Sequence, residues 1–163
     1  SEGAEETGRV GIEIIGEIRR FKSGSKMSLN TPIKTLTIYA ADSTLIKEIE
    51  QLNNDIKGTM RIIDLSVLSG KPDIKERVTE IIPQMAKIGP EFKGEAPKIV
   101  EYLQSENRDE LISKIENDGE IIIDGCKITP DHIEVKKEVV GKTGEKVEVI
   151  HAASIDVILE IIV

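Results

Sequence analysis

Between Ile18 and Ala41 the chain changes its apolar period from that of a helix to that of a strand, across an island of positive charge. Upstream, Ile14, Ile15, Ile18 and Phe21 recur at helical spacing, with Val10 and Gly11 one turn earlier. Downstream, Leu36, Ile38 and Ala40 alternate with Thr35, Thr37 and Tyr39, the pattern of a half-buried strand. The island holds Arg19, Arg20, Lys22, Lys26 and Lys34 and no carboxylate. The 163 residues carry a net formal charge of −8, so everything outside the island carries −13. The stretch reads as a helix end, a loop and a strand start that present cations to something negative.

The length suits one domain with a sizeable core. That core must be aliphatic, because Phe21, Phe92, Tyr39 and Tyr102 are the only aromatic residues. Isoleucine dominates it, and β-branched residues favour strands. A single cysteine, Cys126, rules out an internal disulfide and points to a reducing compartment. No apolar run approaches the roughly 20 residues that span a bilayer, and no signal peptide is recognisable. The start at Ser1, without an initiator Met and inside a Glu-rich run, reads as a piece of a longer protein. The acidic balance argues against indiscriminate nucleic-acid binding but leaves room for a contact confined to one basic patch.

Helical spacing predicts a helix from about residue 4 to 21. Gly8, Gly11 and Gly16 weaken it by roughly 1 kcal/mol each relative to Ala, which suggests close packing against a neighbour. Arg19, Arg20 and Lys22 fall in its last turn, where cations suit the negative end of the dipole, and Ser23-Gly24-Ser25 ends it. Capping of the helix is therefore a sufficient local reason for those three cations. A strand follows from Lys34 to Ala40. Asp42 or Ser43 caps a second helix with Leu45, Ile46, Ile49 and Leu52 inward, closed by Asn53-Asn54-Asp55. Met60–Leu68 and Val78–Ile82 read as strands, ended by Ser69-Gly70-Lys71-Pro72 and by Pro83. Gly89-Pro90 opens a different texture, after which Ala96–Leu103 and a segment capped by Asn107 and closed by Asp118-Gly119 form a helix pair. Ile121–Ile123 and Cys126–Ile128 make a hairpin around Asp124-Gly125. Thr129-Pro130-Asp131 starts one helical turn or a bend, and Ile133–Val140, Val147–Ile150 and Ile155–Val163 are strands, the first two joined by a hairpin loop over Gly141–Glu145. The fold class is α+β: a long N-terminal helix leading into a mostly antiparallel sheet with an inserted helix pair.

Catalytic constellations are poorly supplied. With two histidines, His132 and His151, and one cysteine, no Cys/His zinc cage of the usual spacing can be assembled, and no metal site is expected. Each histidine reads as solvated or satisfied, and Cys126 as a small buried hydrophobe. Ser69-Gly70-Lys71 lacks the upstream glycine of a phosphate loop, and Pro72 replaces its Ser or Thr. Lys26-Met27-Ser28 opens like the signature loop of class I aminoacyl-tRNA synthetases, but Leu29-Asn30 follows in place of Lys-Ser and no nucleotide-binding fold surrounds it.

Other residues carry a more extended resemblance. Ile18-Arg-Arg-Phe-Lys-Ser with Leu29-Asn30-x-Pro32-Ile33-Lys34 resembles the segment that leaves the anticodon-binding helical bundle in archaeal-type valyl-tRNA synthetases. Gly70-Lys71-Pro72-Asp73, then Lys87-Ile88-Gly89-Pro90-x-Phe92, then Ile128-Thr129-Pro130-Asp131-x-Ile133-x-Val135 are similar to later parts of the same family, in the same order. The resemblance covers the chain from about Arg9 onward. Isoleucyl-tRNA synthetases share the Gly-Pro-Phe-like region and are the nearest confusable relatives. The coiled coil that ends bacterial valyl enzymes has no counterpart here.

The resemblance implies a C-terminal region of a class I ligase that joins valine to its tRNA with ATP. Residues 1–24 would be the last helix of the anticodon-binding bundle and 25–163 a C-terminal α+β appendage. The catalytic and editing domains, with ATP and Mg, would lie upstream, so this region would hold no cofactor and no catalytic residue. Its partners would be the valine tRNA and the rest of the synthetase, in the cytoplasm and away from membranes. Arg19, Arg20, Lys22, Lys26 and Lys34 are the candidate tRNA contacts, since cations on phosphates position RNA without reading its sequence. Phe21 and Tyr39 flank them as candidate stacking surfaces, against plainer roles as a core anchor and a sheet residue. Two alternatives remain: an interaction module that packs on the synthetase body without touching RNA, and the equivalent region of an isoleucyl enzyme.

Overall fold

The helix predicted upstream of the island forms as α1, Glu2–Gly24. The computed structural model describes residues 2–105 and 107–163; Ser1, on which the reading of a longer protein rested, lies outside them. Contacts divide the chain into two compact units, one made of the residues up to Ile74 with Val140–Val163 and the other of Lys75–Val139.

In the first unit, β1 (Ile33–Ala40) is followed by α2 (Ser43–Gln51), α3 (Asn53–Thr59) and β2 (Ile62–Ser69). Two later strands, β7 (Glu148–Ala152) and β8 (Val157–Ile162), complete a sheet of order β2-β1-β8-β7. β1 and β2 run parallel, with Leu36 beside Leu65 and Ile38 beside Val67. A parallel pair needs a crossover of a dozen or more residues, and α2 with α3 supplies it. The other two pairings are antiparallel, with Leu36 opposite Ile161 and Ile150 opposite Leu159. One period-2 set of side chains (Leu36, Ile38 and Ala40 with Val157, Leu159 and Ile161) forms a common core with Val10, Ile14 and Ile18 of α1 and with Ile49 and Ile56. Each fully buried Ile contributes about 1.5–3 kcal/mol. Helix α1 thus packs its apolar stripe on this sheet. Gly11 permits a close approach to the α2–α3 junction: a Cβ there would lie 3.1 Å from the Leu52 side chain.

The Asp42 cap is as predicted, its carboxylate accepting from the Thr44 N–H at 2.8 Å. The expected stop at Asn53-Asn54-Asp55 is not. The helix breaks at Leu52, whose N–H donates to Ile49 O, and α3 then begins at Asn53 itself. Burial of Ile56 and Met60 overrides the turn preference of the two asparagines.

The second unit pairs β3 (Lys75–Pro83) with β6 (Ile133–Val140) and carries a separate hairpin, β4 (Ile121–Ile123) with β5 (Cys126–Ile128). Asp124 (φ +49) and Gly125 (φ +81) have the two positive φ angles that such a two-residue turn demands. The helices are α4 (Met85–Phe92), α5 (Ala96–Ser105) and α6 (Arg108–Asp118). α4 is a correction to the sequence reading: Gly89-Pro90 lies inside a helix, held by the fully buried Ile88 and by Phe92 against the core. The predicted caps of α6 are both present. Asn107 accepts from the Asp109 and Glu110 N–H groups at 3.1 and 3.3 Å, and Gly119 closes the helix at φ +77. Asp109 in turn accepts from the Val78 N–H at 2.8 Å, tying α6 to β3. His132 is a satisfied core histidine: Nδ1 accepts from the Thr129 N–H at 3.0 Å, and Nε2 faces the Glu91 carboxylate.

Candidate nucleic-acid interface

Helix α1 ends with a pair of crossed backbone bonds. The Met27 N–H donates to Lys22 O at 2.8 Å and the Lys26 N–H to Ser23 O at 3.1 Å. That is the pattern in which a left-handed residue, usually glycine, reverses the chain after a helix. Here Lys26 occupies it, at φ +58, rather than the nearby Gly24. The island therefore leaves the helix through a tight reversal with a cation at its apex.

The five candidate cations do not act alike. Arg19 is exposed and has no ion-pair partner among the described residues. Arg20 is exposed but bonded to Glu17 at 2.6 Å. Lys26 is exposed without a partner among the described residues. Lys34 forms an exposed ion pair with Glu145 at 3.3 Å.

Lys22 is a correction. Its side chain is fully buried, and its ammonium donates to Leu29 O at 3.0 Å, Thr31 O at 2.6 Å and Met60 O at 2.9 Å. An ammonium has three donors, and all three are used, so Lys22 cannot reach a phosphate. Burial, and then the Arg61 guanidinium, hold its pKa below the ordinary lysine value. The side chain instead pins the α1 end, the 29–31 loop and the α3–β2 junction to one point. Amphipathic spacing could have revealed this, because Lys22 continues the Ile14–Ile18 stripe at i+4.

The structure also recruits a cation that the sequence reading missed. Arg61 lies between α3 and β2, at φ +54, exposed and without an ion-pair partner among the described residues. Its carbonyl accepts from the Ile33 N–H at 2.9 Å, which brings it to the start of β1. Thirty-five residues of sequence separate it from Lys26, and nothing local marks it.

The flanking aromatics have structural roles. Phe21 packs on the core of the first unit and shows an edge to a cleft of about 410 Å³ shared with Ser25, Met27 and Lys146. Tyr39 lies on the sheet face opposite the helices; burial, and then Glu160 and Asp73, push its pKa up. Two carboxylates beside it make a poor seat for a polyanion. Among the described residues no group of three or more His, Cys, Asp or Glu could hold a metal ion, and no helix is long and apolar enough to cross a membrane.

No protein-family profile matches the chain. Similar proteins are nevertheless clear. The valine–tRNA ligase of Methanothermobacter thermautotrophicus is 47% identical over 158 residues, covering 97% of this chain and 18% of that protein. Those of Methanocaldococcus jannaschii and Thermococcus kodakarensis are 35% and 39% identical, covering 91% and 90% of this chain and 17% of each relative. The chain is thus a region of an aminoacyl-tRNA synthetase. Within that class it belongs with the archaeal valyl-tRNA synthetases, the family that its ordered motifs resemble. It spans less than a fifth of the length of the curated relatives it matches. The isoleucyl alternative is not favoured.

Proposed function

We propose that this chain is the C-terminal, tRNA-supporting region of a valyl-tRNA synthetase, whose other domains join valine to its tRNA with ATP and Mg in the cytoplasm. In this reading α1 leads out of the anticodon-binding bundle and the α+β body beyond residue 24 extends the tRNA surface without doing chemistry. The observation that carries the reading is the carboxylate-free basic island, whose Arg19 and Lys26 are exposed without a carboxylate partner among the described residues and whose strand start is joined by Arg61, in a chain of net charge −8. The acidic remainder repels RNA elsewhere and restricts docking to this surface.

The test is a titration of the chain with a valine tRNA transcript across salt concentrations. Weak, salt-sensitive binding is expected, and Arg19→Ala should lower the log–log salt slope by roughly 0.7–0.9. Arg20→Ala should lower it less, because Glu17 already offsets that charge. No binding at low salt, together with normal charging by a full-length synthetase carrying Arg19→Ala, would refute the RNA role.

A second reading, a module that packs on the synthetase body without RNA contact, is favoured by the outer side of α1. Ile12 is 72% exposed there, and a Cβ added at Gly8 would meet nothing within 4 Å. The same titration separates the two, since Ile12→Asp should disturb only the packing role.

A further inference from the structure

Lys26 and Arg61 share three properties, the first of which folding alone disfavours. Each is a non-glycine residue at a left-handed φ, where a Cβ is strained and glycine is the default. Each exposes a cation without a carboxylate partner among the described residues. Each adjoins a bond to Lys22: Lys26 precedes Met27, whose N–H donates to the Lys22 backbone carbonyl, and Arg61 follows Met60, whose carbonyl accepts from the Lys22 ammonium. The Arg61 charge repels that desolvated ammonium, and water screens the repulsion poorly near a buried group. Local rules broken without an internal compensation mark sites whose compensation comes from outside.

We propose that Arg61 is a phosphate-contacting residue of the RNA surface, paired with Lys26 across the buried Lys22 clamp; the inference rests on the tRNA reading above. An RNA backbone lying over this point meets two cations on rigid reversals of the chain. Their backbones are fixed before binding, because Lys22 ties the 29–31 loop and the Met60 carbonyl to the end of α1. Preorganised charges lose little conformational freedom on binding. A phosphate also relieves the mutual repulsion of Lys22 and Arg61.

The test uses Arg61→Gly and Lys26→Gly in the whole chain. Glycine suits both backbones, so the melting temperature should stay level or rise. Each variant should nevertheless lower the log–log salt slope for valine tRNA by about 0.7–0.9, and the pair together by about twice that. Lys93→Gly is the control, another lysine at left-handed φ (+49) but in the other unit; its slope should match the wild type. If Arg19→Ala lowers the slope while Arg61→Gly and Lys26→Gly do not, the pairing is overturned and the RNA reading stands. A wild-type chain with no salt-dependent binding overturns both. Equal lowering by Lys93→Gly would show a net-charge effect only and overturn the pairing. A fall in melting temperature for Arg61→Gly would assign Arg61 to the fold and overturn it too.

Discussion

Replacing Lys22 by Met keeps an unbranched apolar stem, one atom shorter, and removes its three donors. Of the three carbonyls it leaves, Met60 O is in the buried bond, whereas Leu29 O and Thr31 O are in part-buried bonds that water can replace. A buried polar group left unsatisfied costs about 1–3 kcal/mol, and an exchange of a protein bond for water about 0.5–1.5 kcal/mol. Sparing the ammonium its desolvation offsets part of this, leaving a net loss of about 2–4 kcal/mol. For a unit of this size each kcal/mol shifts the midpoint by about 4–8 °C, so the first unit should melt roughly 10–30 °C lower. Tyr39 and Tyr102, the only tyrosines, lie in different units. Tyrosine fluorescence in a Tyr102→Phe background therefore reports the first unit alone. The pH dependence has a definite sign. Between the depressed folded value and the ordinary 10.5 the unfolded chain binds the extra proton, so stability rises with pH across that window. Lys22→Met should abolish the rise. A midpoint within a few degrees of wild type, with the alkaline rise intact, would refute the carbonyl clamp.

Glu160 is held above the ordinary carboxylate range by burial and then by Asp73. Its contribution to stability is present below pH 4.5 and is lost as pH rises through the raised value. Glu160→Gln should therefore raise the melting point of the first unit at pH 7 and flatten its pH profile above 4.5. Asn107→Ala removes the cap of α6 and should cost the second unit about 1 kcal/mol, read by Tyr102 fluorescence in a Tyr39→Phe background. Lys26→Gly places the favoured residue at the α1 reversal and should stabilise the first unit by up to about 1 kcal/mol in thermal melts.

Much of the fold was legible because its signals are local. The period change around the island, the Asp42 and Asn107 caps, the Asp124-Gly125 hairpin and the stop at Gly119 all depend on residues within one turn of each other. The misreadings at Asn53 and Gly89-Pro90 have one cause. Ile56, Ile88 and Phe92 bury against distant partners, and that burial outweighs the breaking tendency of their neighbours.

The sequence by itself determined that cations gather between α1 and β1, that the rest of the chain repels anions, and that the ordered motifs resemble valyl-tRNA synthetases. Charge and order along a chain need no coordinates. The tertiary structure decided which cations face solvent, although helical spacing already set Lys22 on the inward stripe. It buried Lys22, because the position continues the apolar stripe of α1 and three carbonyls converge there to replace its water. It offset Arg20 and Lys34 with Glu17 and Glu145. It brought Arg61 to the island from beyond α3, because the parallel pairing of β1 with β2 sets Ile33 beside Ile62, a register that no local signal records.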